Sequence, residues 1–564
     1  MAFDGLSLKA LSYEFKQLIG YKIDKVFEPN KNNIVLGLYG NNTKFALNIC
    51  IDSKFYRINL TTHPKPNPMQ SLNFCMLLRK HIIGYKIKNI LTYGLERLII
   101  FELEPFDGYE KNIKYLIVEL MGKHSNIILT DNNKVIIDSI RHTNTSSNSY
   151  RNIFPKQIYQ LPKSDKLNIE DIMNFEKFYE IISPDLEANS LEKSISNKFT
   201  GLSMSSIKFF MQNSNNSSVE SAKHVFVMIK NILKEAENSN VHFEQIDEND
   251  YCLALNKTQS QPFCLNFFID DFYYKKESAF DFITYRNSIL KLILDKLKKY
   301  NKRLLNINAK LIDCDNKNTY QLYGELLTAN LYKFNNEHLE NVEVLNYNTG
   351  KTVIIPLDKT YTVNENCKRY YKKYNKLKNA LNIVEKQKKE TENELKYIES
   401  VVFELESAKS IEEVNMIYDE IAENSLFKSK SNVAKKKTNA KKKKNRQLST
   451  FNPLTFVING YTVLVGRNNK ENDWLTTKYA SSNDLWFHTK NIHGSHVILR
   501  TEGYSKIDVD ILLECAKLAA KHSKGKNSAN VPVDYALVKY VKKPHSAKPG
   551  MVIYTHNKTL YVTP

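Results

Sequence analysis

The chain contains no run approaching the roughly 18 uncharged apolar residues that a membrane-crossing helix requires, so no span is expected. Its seven cysteines (Cys50, Cys75, Cys252, Cys264, Cys314, Cys367 and Cys515) are scattered and form no C-x-x-C pair. That excludes a zinc ribbon and a disulfide framework and fits a reducing cytosol. The opening residues, Met1-Ala2-Phe3-Asp4-Gly5, carry neither the basic nor the apolar region of a secretory signal, so a cytoplasmic protein is expected. Catalytic signatures are missing as well. His488, His493 and His496 lack helical H-x-x-x-H spacing and a carboxylate partner. Ser495, in Gly494-Ser495-His496, lacks the strained G-x-S-x-G elbow of a nucleophile. No catalytic residue, metal or cofactor is assigned.

What is present is length, apolar content and positive charge. The 564 residues suffice for three or four domains, and a hydrophobic fraction of 42% allows large cores. A net charge of +20 points to a polyanionic partner, most simply nucleic acid.

Two heptad stretches organise the chain. Leu290, Ile293, Leu297, Tyr300, Leu304, Ile307 and Leu311 alternate at spacings of three and four. So do Tyr370, Tyr374, Leu377, Leu381 and Val384, and the register resumes at Leu395, Ile398, Val402 and Leu405 after Lys388 and Thr391. A sustained period of about 3.5 residues places these side chains on a seam that needs a partner helix. Two separate helices of a bundle would give the same pattern. The adopted reading is an antiparallel coiled coil within one chain, each arm roughly 50 Å long. Between the arms, Val342–Tyr347 and Thr352–Ile355 read as strands joined by a turn at Asn348-Thr349-Gly350-Lys351, a small β tip.

Taken in order, residues 1–175 read as β-rich, with short strands separated by Asn, Gly and Asp turns and a helix carrying the basic run Arg79-Lys80-His81. Two polar clusters lie near strand ends: Glu96-Arg97, and Glu119-Leu120-Met121-Gly122-Lys123-His124-Ser125-Asn126. A strand joint with a surface salt bridge explains them as readily as a binding site. Within 176–280, Phe199-Thr200-Gly201-Leu202-Ser203-Met204-Ser205 has the form of a helix-hairpin-helix turn. Such a turn aims backbone N–H groups at a phosphate, although Ser203 also reads as a plain N-cap. Residues 241–280, including Phe267, Phe268, Phe272 and Tyr273, read as a small β element. The coil and tip occupy 281–427. Residues 428–450, with Lys435-Lys436-Lys437 and Lys441-Lys442-Lys443-Lys444 and no acid, read as a disordered tether that either solvates or touches RNA.

The last segment, 451–564, reads as an α/β domain. Its densest motif is Asp484-Leu485-Trp486-Phe487-His488, followed by His493-Gly494-Ser495-His496. Aromatics interleaved with His and Lys stack on bases while cations meet phosphates, or else pack a core. Lys542, Lys543 and Lys548 fall in a Pro- and Gly-punctuated stretch expected to be an exposed loop that meets phosphate.

Five stretches, Met1–Gly5, Met76-Leu77-Leu78-Arg79-Lys80, Glu119–Asn126, Gly324-Glu325-Leu326-Leu327 and Asp484–His488, together resemble the NFACT family over essentially the whole chain. The resemblance implies a multidomain α+β protein: an NFACT-N domain, a helix-hairpin-helix domain, a coiled-coil middle and an NFACT-R RNA-binding domain. It implies a factor that binds large ribosomal subunits still carrying peptidyl-tRNA, recruits alanyl-tRNA and supports template-free C-terminal alanine tailing, with a small partner of the RqcP type. The family's Asp-Arg pair falls on Glu96-Arg97, one methylene longer, and its Glu-x-Met-Gly cluster on Glu119-Leu120-Met121-Gly122. This assigns tRNA handling to Glu96, Arg97, Glu119, Met121, Gly122, Lys123 and His124. Wider RNA contact is expected at Arg79, Lys80, Gly201, Asp484, Trp486, Phe487, His488, His493, Lys542, Lys543 and Lys548. NFACT-N also resembles the N-domain of formamidopyrimidine-DNA glycosylases. Those need a processed N-terminal proline, whereas this chain starts Met-Ala-Phe, which argues against DNA repair. A fibronectin-binding surface adhesin and a general RNA-binding protein are the alternatives from other classes.

Overall fold

The computed structural model describes residues 3–106, 112–143, 151–212, 218–255, 263–334, 337–424, 451–503, 507–545 and 547–564. The expected Lys-rich tether lies outside these residues. The chain divides into two units, Met1–Phe280 and Asp281–Pro564.

The first unit begins with helix α1 (Gly5–Phe15). Strands β1 (Lys22–Asn30), β2 (Asn33–Gly40), β3 (Thr43–Cys50) and β4 (Arg57–Leu60) precede helix α2 (Asn73–Ile82). Strands β5 (Tyr85–Thr92), β6 (Leu98–Pro105), β7 (Lys114–Glu119), β8 (Asn126–Thr130) and β9 (Ile136–Ser139) follow. Together they form one nine-stranded sheet ordered β4-β3-β2-β1-β5-β6-β7-β8-β9. Two meanders meet where Lys22 of β1 lies opposite Lys86 of β5. Alternation sets the faces: Ile34, Leu36 and Leu38 of β2 all point into the core. Strand β5 escaped the sequence reading because a register shift between Ile87 and Asn89 breaks its period of two.

Helices α3 (Phe175–Leu186), α4 (Leu191–Lys198), α5 (Met204–Met211) and α6 (Ser218–Glu237) and the hairpin of β10 (Val241–Gln245) and β11 (Tyr251–Leu255) complete the layer around this core. Of residues 241–280, expected to be a small β element, only the part within 241–255 is one. Residues 267–273 are helical, in α7 (Cys264–Asp315), rather than β. Phe268 and Phe272 stack one helical turn apart, with centroids 6.1 Å apart. In a short window their aromatic richness imitates strand composition, and the four-residue spacing is what marks the helix. A bidentate ion pair fixes the start of α7, Arg57 Nη1 and Nη2 donating to Glu277 at 2.8 and 3.2 Å, with both groups buried.

In the second unit α8 (Lys317–Phe334), the hairpin of β12 (Asn341–Asn346) and β13 (Lys351–Pro356), and α9 (Val363–Ser407) follow α7. Ile289 and Ile293 of α7 share a core with Tyr397, Ile398, Val401 and Leu405 near the end of α9. Leu326 and Leu327 of α8 pack on Val363, Cys367 and Tyr370 at its start. The arms therefore run antiparallel, with the hairpin between them as the tip. The seam passes through its polar break intact: Thr391 is buried and returns its hydroxyl proton to the Gln387 carbonyl at 2.7 Å. A capping box between Thr362 and Glu365 starts α9.

Helix α10 (Ile411–Glu423) packs back on the base of the coil. The C-terminal domain then folds from β14 (Leu454–Ile458), β15 (Tyr461–Val465), α11 (Asn469–Trp474), β16 (Leu485–Thr489) and β17 (Val497–Leu499). Helix α12 (Val509–Lys521) and strands β18 (Val531–Leu537), β19 (Val541–Lys542), β20 (Ile553–Tyr554) and β21 (Lys558–Val562) complete it. Its main sheet runs β14-β15-β17-β16-β18-β21. Helix α12 covers one face, and a second core around Trp486 lies on the other.

Candidate nucleic-acid interface

In the first unit the ends of β6 and β7 and the α4–α5 turn surround a cleft of about 590 Å³. Glu96, Arg97, Met121, His124 and Gly201, all singled out in the sequence, line it together. The strand order explains the convergence. Leu98 of β6 pairs with Glu119 of β7, and the Leu120 N–H donates to the Arg97 carbonyl at 2.9 Å, so both motifs leave the sheet at the same edge. The two charged side chains do not hold each other. Glu96 Oε1 accepts from the Thr200 hydroxyl at 2.9 Å. Arg97 Nη1 donates to the Tyr56 hydroxyl at 3.0 Å, its guanidinium 5.6 Å from that ring's centroid. Both remain half-exposed, with hydrogen-bonding capacity directed at whatever enters.

Glu119 does not reach the cleft, which corrects its assignment as a tRNA contact. It is wholly buried. Arg151 clamps it through two donors at 2.7 and 2.9 Å, and the Tyr159 hydroxyl donates at 2.8 Å. Burial and the adjacent carboxylate push the Tyr159 phenol up, which keeps it a donor. Glu119 thus anchors the strand that carries Met121. Gly122 is buried at φ +62°, a left-handed conformation that makes glycine the fitting residue, and the turn presents Lys123 and His124 to solvent. Arg141 secures that turn by donating to the Ser125 carbonyl at 3.1 Å. Arg79 is likewise committed to the fold, donating to the Val26 carbonyl at 2.9 Å and the Ser71 hydroxyl at 2.9 Å. Lys80 is exposed beside it, and neither lines the cleft.

In the C-terminal domain the aromatic motif is core on both faces. Trp486 and Phe487 have no exposed surface and face opposite cores, so neither stacks on a base. Asp484 is also buried. It accepts from the Ser481 and Thr501 N–H groups and pairs with Arg500 at 3.1 Å, which makes it a loop brace. His493 pairs with Glu399 of α9 at 3.2 Å. Lys543 pairs with Asp473, and Lys548 with Glu394 of α9 at 3.3 Å. Lys542 is exposed. Lys543 and Lys548 therefore brace the loop within the second unit, and an Ala change at either would perturb packing as well as charge.

Burial pushes the His488 imidazole down to about 4, and His496 falls well below its ordinary range for the same reason. An imidazole near 4 in the fold and near 6.5 when unfolded stabilises the domain fully above about pH 6.5. That stability is lost as pH falls toward 4, by up to roughly 3 kcal/mol for one such group. Both tryptophans, Trp474 and Trp486, lie in this domain, so fluorescence-detected unfolding reports on it. The midpoint is expected to drop between pH 6.5 and 4.5, with a shallower drop in His488→Gln. Identical pH profiles would refute the assignment.

Sequence reasoning missed Phe3, Asp4, Thr200, Lys163 and Lys166 as cleft residues. Thr200 was legible as the residue preceding the hairpin glycine. The two lysines sit in a loop without periodicity, and nothing local marked them.

Residues 4–442 match the NFACT N-terminal and middle domains, and residues 451–555 the NFACT protein RNA binding domain. The Rqc2 homolog RqcH of Bacillus subtilis (strain 168) is 33% identical, with 100% of this chain and 98% of that protein covered. The protein of the same name from Streptococcus suis (strain 05ZYH33) is also 33% identical over the same shares. A solved C-terminal portion of the fibronectin/fibrinogen-binding protein from Streptococcus suis covers 50% of this chain and 95% of its own, at 29% identity and a TM-score of 0.38.

Proposed function

We infer that this chain, which belongs to the NFACT family, is a ribosome-associated quality-control factor. It binds stalled large subunits that carry peptidyl-tRNA, recruits alanyl-tRNA and supports template-free addition of alanines to the nascent chain. The observation that carries this reading is the end-to-end match, 33% identical over 98% of the Bacillus subtilis relative named an Rqc2 homolog. The cleft bounded by Glu96, Arg97, Met121 and His124 supports placing tRNA on the first unit. We assign residues 1–175 as the NFACT-N domain, 176–280 as the helix-hairpin-helix domain, 281–427 as the coiled-coil middle, 428–450 as a linker and 451–564 as the NFACT-R domain.

The protein works by positioning. Peptide bonds form at the ribosome's own peptidyl-transferase centre, and the chain supplies charge-assisted contacts to tRNA and a rod that spans the subunit surface. An RqcP-type small protein shares the subunit. No helix among the described residues is long and apolar enough to cross a membrane. The test is mass spectrometry of the C-termini of a stalled reporter in cells with and without the gene. Alanine tails present only with the gene are expected. Equal tails in both, or fibronectin capture by intact cells without any tailing defect, would replace this reading by the adhesin one.

A further inference from the structure

The turn between α4 and α5 carries a buried carboxylate from the start of the chain. Asp4 is buried, at 5% exposure, and lines the cleft. Its Oδ1 accepts from the Ser7 N–H at 2.9 Å and the Ser7 hydroxyl at 2.8 Å, which makes it the N-cap of α1. Its Oδ2 accepts from the Ser203 N–H at 3.3 Å and the Ser206 hydroxyl at 2.7 Å, at the start of α5. One carboxylate therefore joins the N-termini of two helices that lie about 200 positions apart in sequence. The backbones beside it touch. The Gly5 and Leu6 N–H groups donate to the Gly201 carbonyl at 2.9 and 3.2 Å. A Cβ on Gly5 would lie 1.8 Å from the Leu95 carbonyl oxygen, and one on Gly201 1.9 Å from the same atom. Leu95 precedes Glu96, and Thr200, which holds Glu96, precedes Gly201.

We propose that Asp4 is the positioning residue of the cleft. Its carboxylate takes the place a hairpin of this kind offers to a phosphate, so the turn serves as a dock. The dock fixes Leu95 and Thr200, and through them the direction of Glu96 and the start of β6 that carries Arg97. The same negative charge keeps a phosphate off the turn, and RNA meets the cleft at Arg97 and His124, which also line it. This inference rests on the tRNA reading for its consequence, and on the hydrogen-bond geometry for its mechanism.

The test uses the full chain with Asp4→Ala, Asp4→Asn and wild type, in chloride or acetate buffers of equal ionic strength. Two readouts are taken: tRNA affinity, and hydrogen exchange of peptides covering 95–97 and 199–206. Asp4→Ala is expected to weaken tRNA binding by about tenfold and to raise exchange in both peptides, with 454–499 unchanged. Acetate, entering from the cleft as a replacement carboxylate, should recover most of both losses and leave wild type unaffected. Asp4→Asn keeps the volume and the contact to Ser7, so it should fold, show a smaller loss and not respond to acetate. Exchange that rises only in α1, or losses in Asp4→Ala that acetate does not reverse, would overturn the proposal. If wild type binds no tRNA at all, the tRNA reading fails alone, and the acetate-dependent exchange still decides the role of Asp4.

Discussion

Replacing Glu96 and Arg97 together by alanine is expected to abolish alanine tailing while the protein remains folded. Both side chains are half-exposed, and each hydrogen-bonds to a buried hydroxyl, Glu96 to Thr200 and Arg97 to Tyr56. Truncation removes one partner from each hydroxyl, so the fold should lose about 1–3 kcal/mol at each, with the surrounding core intact. An arginine contact to a base edge or a phosphate is worth about 1–3 kcal/mol, and the neighbouring carboxylate adds a second directional contact. The double change should weaken tRNA recruitment by roughly a hundredfold or more. Arg97→Lys should recover only part of it, because an ammonium lacks the planar fork. The assay is the length distribution of tails on a stalled reporter, with melting as the folding control. Normal tails from a well-folded double variant would remove these two residues from the site.

A proline at Leu381 is the second large effect. This residue lies mid-way along the 45-residue α9, half-buried on the seam between Leu377 and Val384. Proline deletes the hydrogen bond from residue 381 to the Leu377 carbonyl and clashes with the preceding turn, costing about 3 kcal/mol or more. The cores at the two ends, around Ile293 with Ile398 and around Leu327 with Tyr370, lie several turns away and should persist. The expected result is a bent arm, a displaced tip and much weaker association with large subunits, with most helical circular dichroism retained. Unchanged co-sedimentation would count against a reaching role for the coil.

The coil was legible because its seam is a long-range periodicity that little else imitates. Ile293, Ile307, Val384 and Ile398 are buried as the heptad requires. The hairpin glycine was legible for a local reason, since Gly201 sits at φ +70°. What stayed hidden is what two distant segments decide jointly. Alternation in β16 puts Trp486 and Phe487 on opposite faces, but only the third dimension shows a core on each. Glu119 looks like a surface acid until Arg151 and Tyr159 close over it. Lys543 and Lys548 read as free cations, yet Asp473 and Glu394, some 70 and 150 positions away, hold them. Asp4 caps α1 from its own sequence neighbourhood, but the second half of its hydrogen bonding comes from residues 203 and 206.

The central claim is that this chain acts on the large ribosomal subunit, and sucrose-gradient sedimentation of a lysate containing stalled ribosomes tests it most directly. The account predicts that the protein migrates with large subunits that carry peptidyl-tRNA, and that added salt strips it off, as contacts to phosphate require. Protein that stays at the top of the gradient, or that sediments with membranes, while stalled subunits accumulate beneath it would contradict the account.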